Sequence, residues 1–199
     1  MNLNTSENNE QLRDRLNRVL PRLQSADLLN NKGLGNEIGF YIFDYPPEHE
    51  LEVDAFLKDV ILPSLDKGPT PVRACHVNLF QLVLDVLNKR DLLDRAVALQ
   101  ANKGDKEVLR AMKGPLEPAK LAQEFVKDID LTQTDLVLLT GVGSAYPMLR
   151  TNTLLSALHP LMGHIPLVVF YPGTYDGTKL RLFNRLSDDN YYRAFRLAV

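Results

Sequence analysis

The chain has 199 residues, 45% hydrophobic and 24% charged, with a formal net charge of −2. That length suits one globular domain able to bury roughly 70% of its unfolded surface, and the near-neutral balance gives no global pull toward nucleic acid or anionic membrane. A single cysteine, Cys75, excludes an intrachain disulfide and suits a reducing compartment; no apolar run approaches the ~20 residues of a membrane span, and the polar start MNLNTSENNEQ is unlike a signal peptide. The expectation is a cytoplasmic protein without a membrane partner.

Residues 1–36 read as an N-terminal helical segment and 37–199 as an α/β domain, together one folding unit. Leu12, Leu16, Val19, Leu20 and Leu23 mark one helical face, and Pro21 should kink or divide that helix. Residues 30–36, with Gly33 and Gly35, form a loop. Residues 38–43 are a continuous apolar and aromatic run, the mark of a strand covered on both faces. Asp44, Tyr45, Pro46 and Pro47 end it. Val53, Phe56, Leu57, Val60 and Ile61 then share one face of an amphipathic helix that should stop near Pro63. Residues 72–77 are a second strand, and Asn78 can cap the next helix. The apolar residues of that helix, Leu79, Phe80, Leu82, Val83, Leu84, Val86 and Leu87, cover most of its circumference and predict deep burial.

From 90 to 130 the pattern is helical, broken at Asn102-Lys103-Gly104 and at Gly114-Pro115, with charges of alternating sign on a solvated face. Residues 136–140 are a third strand, 141–147 its following loop, 150–159 a short helix and 165–171 a fourth strand. Strands alternating with helices pair mainly in parallel, because each crossover needs a dozen or more residues. The predicted architecture is a mainly parallel sheet of four to five strands flanked by helices. An Asp176-Gly177 turn and a strand at 180–183 add a C-terminal antiparallel hairpin as an edge. Segments 38–43, 136–139 and 165–170 should be central neighbours, with the helices carrying Phe56 and Leu82 packed on them.

Few residues are spaced for chemistry. The loop Gly141-Val142-Gly143-Ser144 lies where open α/β sheets bind ligands and could present backbone N–H groups to an anion. It fails both nucleotide fingerprints, having Tyr146 where a dinucleotide loop has glycine and no Gly-Lys-Ser/Thr ending. A turn that lets backbone pass close to a helix explains it as well. Asp44, Glu48, His49, Glu50 and Glu52 gather after the first strand, but His49 leaves the face shared by Glu48 and Glu52, and an acidic first helical turn suits the helix dipole. Adjacent Cys75 and His76 face opposite sides of a strand. His159 and His164 flank a turn, and Ser144 and Ser156 lack a nucleophile's context. No catalytic residue, metal site or cofactor is assigned.

The last thirty residues are the most distinctive. From Tyr171 on, Lys179, Arg181, Arg185, Arg193 and Arg196 against Asp176, Asp188 and Asp189 leave a local net charge of +2. Arginines among Phe183, Tyr191, Tyr192 and Phe195 could stack on nucleic-acid bases, form a protein interface or fold back to tie down the tail. Arg181 and Phe183 share one strand face, so Phe183 needs cover from the tail or a partner. Tyr175, at the hairpin tip, is taken as an exposed anchor. Tyr175, Asp176, Arg181, Phe183, Tyr191, Tyr192, Arg193 and Arg196 are the candidate partner-binding residues; Gly141, Gly143 and Ser144 are a weaker anion candidate.

In PGTYDG (172–177), LRLF (180–183) and DDNYYRAFRL (188–197), and more loosely from Gly39 to Val199, the chain resembles the BrxB family of BREX phage-defence systems. That resemblance implies a cytoplasmic, non-catalytic adaptor in a complex with the phosphatase-like PglZ foremost, and with the ATPase BrxC or the methyltransferase PglX as further partners. Two alternatives stay open: a degenerate P-loop-like nucleotide-binding domain, and an accessory subunit that binds nucleic acid through the arginine-rich tail.

Overall fold

The computed structural model describes residues 3–31, 39–187 and 194–198. Five parallel strands form the main sheet in the order β2 (Ala74–Asn78), β3 (Leu136–Thr140), β4 (Leu167–Tyr175), β1 (Phe40–Tyr45), β7 (Phe195–Arg196). The expected α/β class and the central trio β3-β4-β1 hold. Their continuous apolar runs are explained by cover on both faces. Phe40, Ile42, Val137, Leu139, Leu167, Val169 and Tyr171 point to one core layer. Tyr41, Phe43, Tyr45, Leu136, Leu138, Val168 and Phe170 point to the other.

The first layer is closed by α5 (Leu79–Lys89), α8 (Pro118–Lys127), α9 (Val142–Ala145) and α10 (Thr151–Met162), with α6 (Leu93–Lys103) and α7 (Asp105–Met112) outside them. Breaks fall beside Gly104 and Pro115, as the sequence predicts. Asn78 caps α5, its side chain accepting from Gln81 N–H at 3.1 Å. Deep burial of α5 does not hold. Leu79, Val83, Val86 and Leu87 are buried while Phe80, Leu82 and Leu84 are half-exposed, because β2 is an edge strand and, among the described residues, no further strand extends the sheet on that side.

The second layer is closed by α1 (Leu3–Leu23) and by a helical run through α3 (Glu50–Phe56) and α4 (Leu62–Lys67), with the short α2 (Ala26–Leu29) after α1. Pro21 does not divide α1; it removes one backbone bond in the last turn, and the helix ends two residues later. Pro63 does not end its helix either, since it occupies the first turn of α4. Between α3 and α4 lies a π-helical turn, Leu57–Ile61. It changes which residues face inward. Val53, Leu57, Ile61 and Leu65 are buried at a strict four-residue spacing, which the wider π turn keeps on one face. Phe56, expected in the core by 3.6-residue periodicity, is therefore only partly buried, and Val60 is 41% exposed.

Strand ends also move. β1 extends through Asp44 and Tyr45, and the predicted start at Ile38 lies outside the described residues. β4 runs three residues past its last partner in the main sheet, from Gly173 to Tyr175, and this end pairs antiparallel with β5 (Leu180–Leu182), which pairs with β6 (Leu186–Ser187). The hairpin thus stands beyond the carboxyl ends of the strands instead of forming the sheet's edge, which β7 forms beside β1. Gly173 makes this possible: a Cβ there would meet the Arg181 carbonyl of the facing strand, inside contact distance.

Candidate interaction surface at the carboxyl end of the sheet

Asp44, next to last in β1, joins three distant segments. Its Oδ1 accepts from Arg15 Nη2 of α1 at 2.6 Å, and its Oδ2 accepts from the Tyr175 backbone N–H at 2.9 Å. The Arg15 guanidinium also lies 5.0 Å from the centroid of the Phe43 ring and donates to the Ala198 carbonyl at 3.3 Å. The carboxylate is thus paired and hydrogen-bonded, as a mostly buried charge must be. This use of Asp44 accounts for it without a metal. Among the described residues no three His, Cys, Asp or Glu gather as ligands; His49 Nδ1 lies 3.0 Å from Glu52.

Tyr175 completes the same clasp, which corrects its expected exposure. Its ring is 1% exposed, packed in the core layer with Leu180 and Leu182. Its hydroxyl sits 2.8 Å from the carbonyls of Gly177 and Ala194 and accepts the Ala194 N–H at 3.0 Å. Arg196 Nη2 donates to the Tyr175 carbonyl at 2.6 Å. A tyrosine beside a turn looks like a free anchor in sequence, but the returning tail supplies it with an apolar seat and polar partners. Tyr191, Tyr192 and Arg193 lie outside the described residues.

The turn itself is held by Asp176. Its Oδ1 accepts from Lys179 N–H, from the Thr178 hydroxyl and from Thr178 N–H at 2.7–2.8 Å, and these bonds, the first foremost, hold its carboxyl down to about 2. Beyond it, alternation buries Leu180 and Leu182 and exposes Arg181. Phe183 does not follow the alternation. At φ +53° it swings off the strand, and its ring packs edge-on against Tyr146 with centroids 6.4 Å apart. Its cover therefore comes from within the chain.

The same movement closes the glycine loop. A Cβ on Gly143 would stand 3.0 Å from both the Phe183 ring and the Pro172 ring, so a larger residue would require these rings to give by a few tenths of an ångström. Gly141 caps α9 in the left-handed region beside the Asn78 side chain. Of the weaker anion candidates only Ser144 is exposed; Gly141 and Gly143 are buried. Around them Thr140 meets the His76 ring at 2.8 Å, and the Tyr45 hydroxyl donates to Glu50 at 2.8 Å. Burial pushes the Glu50 carboxyl and the Cys75 thiol up and the His76 imidazole down. No nucleophile–base pair results, as Cys75 and His76 face opposite core layers.

What remains outward is polar and cationic: Asp176, Lys179, Arg181, Arg185 and Arg196 are exposed, with Leu186 among them at 40%. Such a surface offers arginine anchors of the kind found at protein interfaces. No described helix is long and apolar enough to cross a membrane.

The comparisons agree with this part of the chain. A family model described as "BREX protein BrxB" matches residues 75–197, a span that takes in β2 through β7. A BREX protein BrxB of Escherichia coli O9:H4 (strain HS) is 43% identical over 183 residues, 92% of this chain and 90% of that protein. One of Bacillus cereus (strain H3081.97) is 38% identical over 189 residues, 94% and 97% of the two chains. No solved structure matches. With a family model spanning most of the chain and relatives aligned nearly end to end, the chain belongs to the BrxB family of the BREX phage-defence system.

Proposed function

We propose that this chain is a non-catalytic adaptor of the BREX system, docking a larger component, PglZ foremost and BrxC or PglX after it, through the face of the C-terminal hairpin. One observation carries the reading. At the carboxyl end of the sheet, where α/β folds place ligand sites, the chain's own Phe183, Pro172 and Asn78 press on the glycine loop, and only clefts of about 290 and 180 Å³ remain beside it. Buried functional side chains there are spent on one another, Asp44 on Arg15 and Tyr175. The outward side of the same hairpin leaves Arg181 and Arg185 exposed. A crevice reduced to clefts below the usual size of a ligand pocket, beneath a solvated arginine face, suits recognition of a protein better than turnover of a small molecule. It also weighs against the degenerate nucleotide-binding reading, whose phosphates would need the space Phe183 occupies.

The test is retention of partners in the native host. Arg181→Glu with Arg185→Glu should keep a normal melting temperature, since neither side chain is buried, while PglZ is no longer retained and phage protection falls. Full retention and protection by this folded variant would remove the hairpin face from the interface. For the nucleic-acid reading, the same variant should lose a salt-dependent retention of DNA or RNA by the isolated chain; absence of that retention in the wild type sinks that reading.

A further inference from the structure

The opposite edge of the sheet is open. β2 pairs with β3 on one side and, among the described residues, with no strand on the other. Val137 donates to the Pro166 carbonyl on the β4 side, so Leu136, Leu138 and Thr140 turn their backbone groups toward β2. In the Ala74↔Leu136 register Cys75 and Val77 then face β3, and Ala74, His76 and Asn78 face outward. The Ala74 N–H is returned to Val72 O at 2.9 Å. The outward row is thus the carbonyl of Ala74, both backbone groups of His76 and the N–H of Asn78. Every residue of this strand is half-exposed, whereas β3 is wholly buried.

A groove flanks the strand on each face, and the two differ in chemistry. On the α4 side a groove of about 400 Å³ is lined by Leu62, Leu65, Val72, Ala74 and Cys75 together with Thr134 and one charge of each sign, Asp66 and Arg73. On the α5–α8 side a groove of about 440 Å³ carries Asp85, Glu124 and Asp128 and no lysine or arginine. Lys89 and Lys127 approach Asp128 and Glu124 only to 3.7 and 3.9 Å, in exposed pairs that neutralise weakly. A second copy is a poor occupant: two β2 edges paired about a two-fold axis would bring these acids together.

We propose that the outer edge of β2 accepts an extended segment of another protein as an added strand. Its side chains would alternate, lysine or arginine over Asp85, Glu124 and Asp128, uncharged residues over the α4-side groove, where Asp66 and Arg73 offset each other. Main-chain bonds supply affinity in this mode and the alternate pockets supply specificity. The proposal rests on the adaptor reading and adds to it a second surface, remote from the hairpin.

Two measurements test it on the full chain. The first follows a labelled peptide of alternating valine and lysine by anisotropy and by amide exchange. It should bind and slow exchange at His76, whereas alternating valine and glutamate, or the same valines and lysines in two blocks, should bind about tenfold more weakly or worse. Equal binding of the block peptide, an unchanged His76 amide or no binding overturns the proposal. The second compares native partners retained by wild type and by Asp85→Lys with Asp128→Lys. Loss of a partner by the folded variant supports the edge. If the wild type retains a partner and the variant keeps it, the edge idea falls and the adaptor stands; if the wild type retains none, the adaptor reading falls.

Discussion

Asp44 and Tyr175, 131 positions apart in the chain, are joined by a 2.9 Å hydrogen bond from the tyrosine's backbone N–H to the aspartate's carboxylate. Through it the second-to-last residue of β1 holds the end of β4, and Arg15 on the far side of Asp44 brings in α1. Removing the carboxylate deletes both of these bonds, while Arg15 keeps its contact with the Ala198 carbonyl. Asp44→Ala is expected to destabilise the fold by roughly 1.5–3 kcal/mol, the range for hydrogen bonds to a charged group. Denaturant titration checks this, and a loss under 0.5 kcal/mol would mean the clasp carries little.

Tyr175→Phe keeps the ring's packing and deletes only the hydroxyl that meets Ala194. It removes the acceptor of the partly buried Ala194 N–H, at about 0.5–1.5 kcal/mol. In a chain of this size that lowers the melting temperature by about 2–4 °C per kcal/mol. Any loss of partner retention by a Tyr175 variant should track this loss of stability, and a fully stable variant that still loses its partner would show that the ring is contacted directly.

The π turn gives a third outcome. Leu57→Ala should cost about 2–5 kcal/mol, as other large-to-small core changes do, whereas Val60→Ala, at a 41% exposed position, should stay within about 0.5 kcal/mol. Comparable losses at the two positions would place Val60 in the core, as plain helical periodicity has it.

Those contrasts mark what was legible in the sequence. Apolar runs located the central strands and the helices between them, because burial on both faces leaves that signature whatever the partners are. Phe56 and Val60 were misplaced because a π turn shifts the inward face without changing composition. Tyr175 was read as exposed because the residues that seat it, Ala194 and Arg196, come from a tail whose return to β1 no local pattern announces. Asp44 stands among acidic neighbours in the sequence, while its actual partners lie 29 and 131 positions away. The hairpin motif itself was plain, and so was its kinship with BrxB.

Glu50 supplies a pH-dependent outcome. Burial, first among the causes, raises its carboxyl pKa above the ordinary value against the opposing bond from Tyr45. A raised folded pKa contributes stability that is present below the unfolded pKa and lost as pH rises through the folded one. Glu50→Gln removes the titration and keeps an acceptor for Tyr45. Relative to this variant, wild type should be less stable at pH 7 than at pH 4, by melting temperatures measured in parallel; a difference that does not change with pH, or that changes in the opposite sense, contradicts the assignment.

The most direct measurement of the central claim is affinity purification of the tagged chain from a host with an intact BREX locus, with quantitative mass spectrometry of what elutes. The account expects PglZ at near-stoichiometric yield from wild type, its loss from the folded Arg181→Glu, Arg185→Glu variant, and no ATPase, nuclease or methyltransferase turnover from the chain alone. Wild-type chain that elutes without any BREX component, or that turns over substrate by itself and stops when Asp44 or Glu50 is replaced in a still-folded variant, would contradict it.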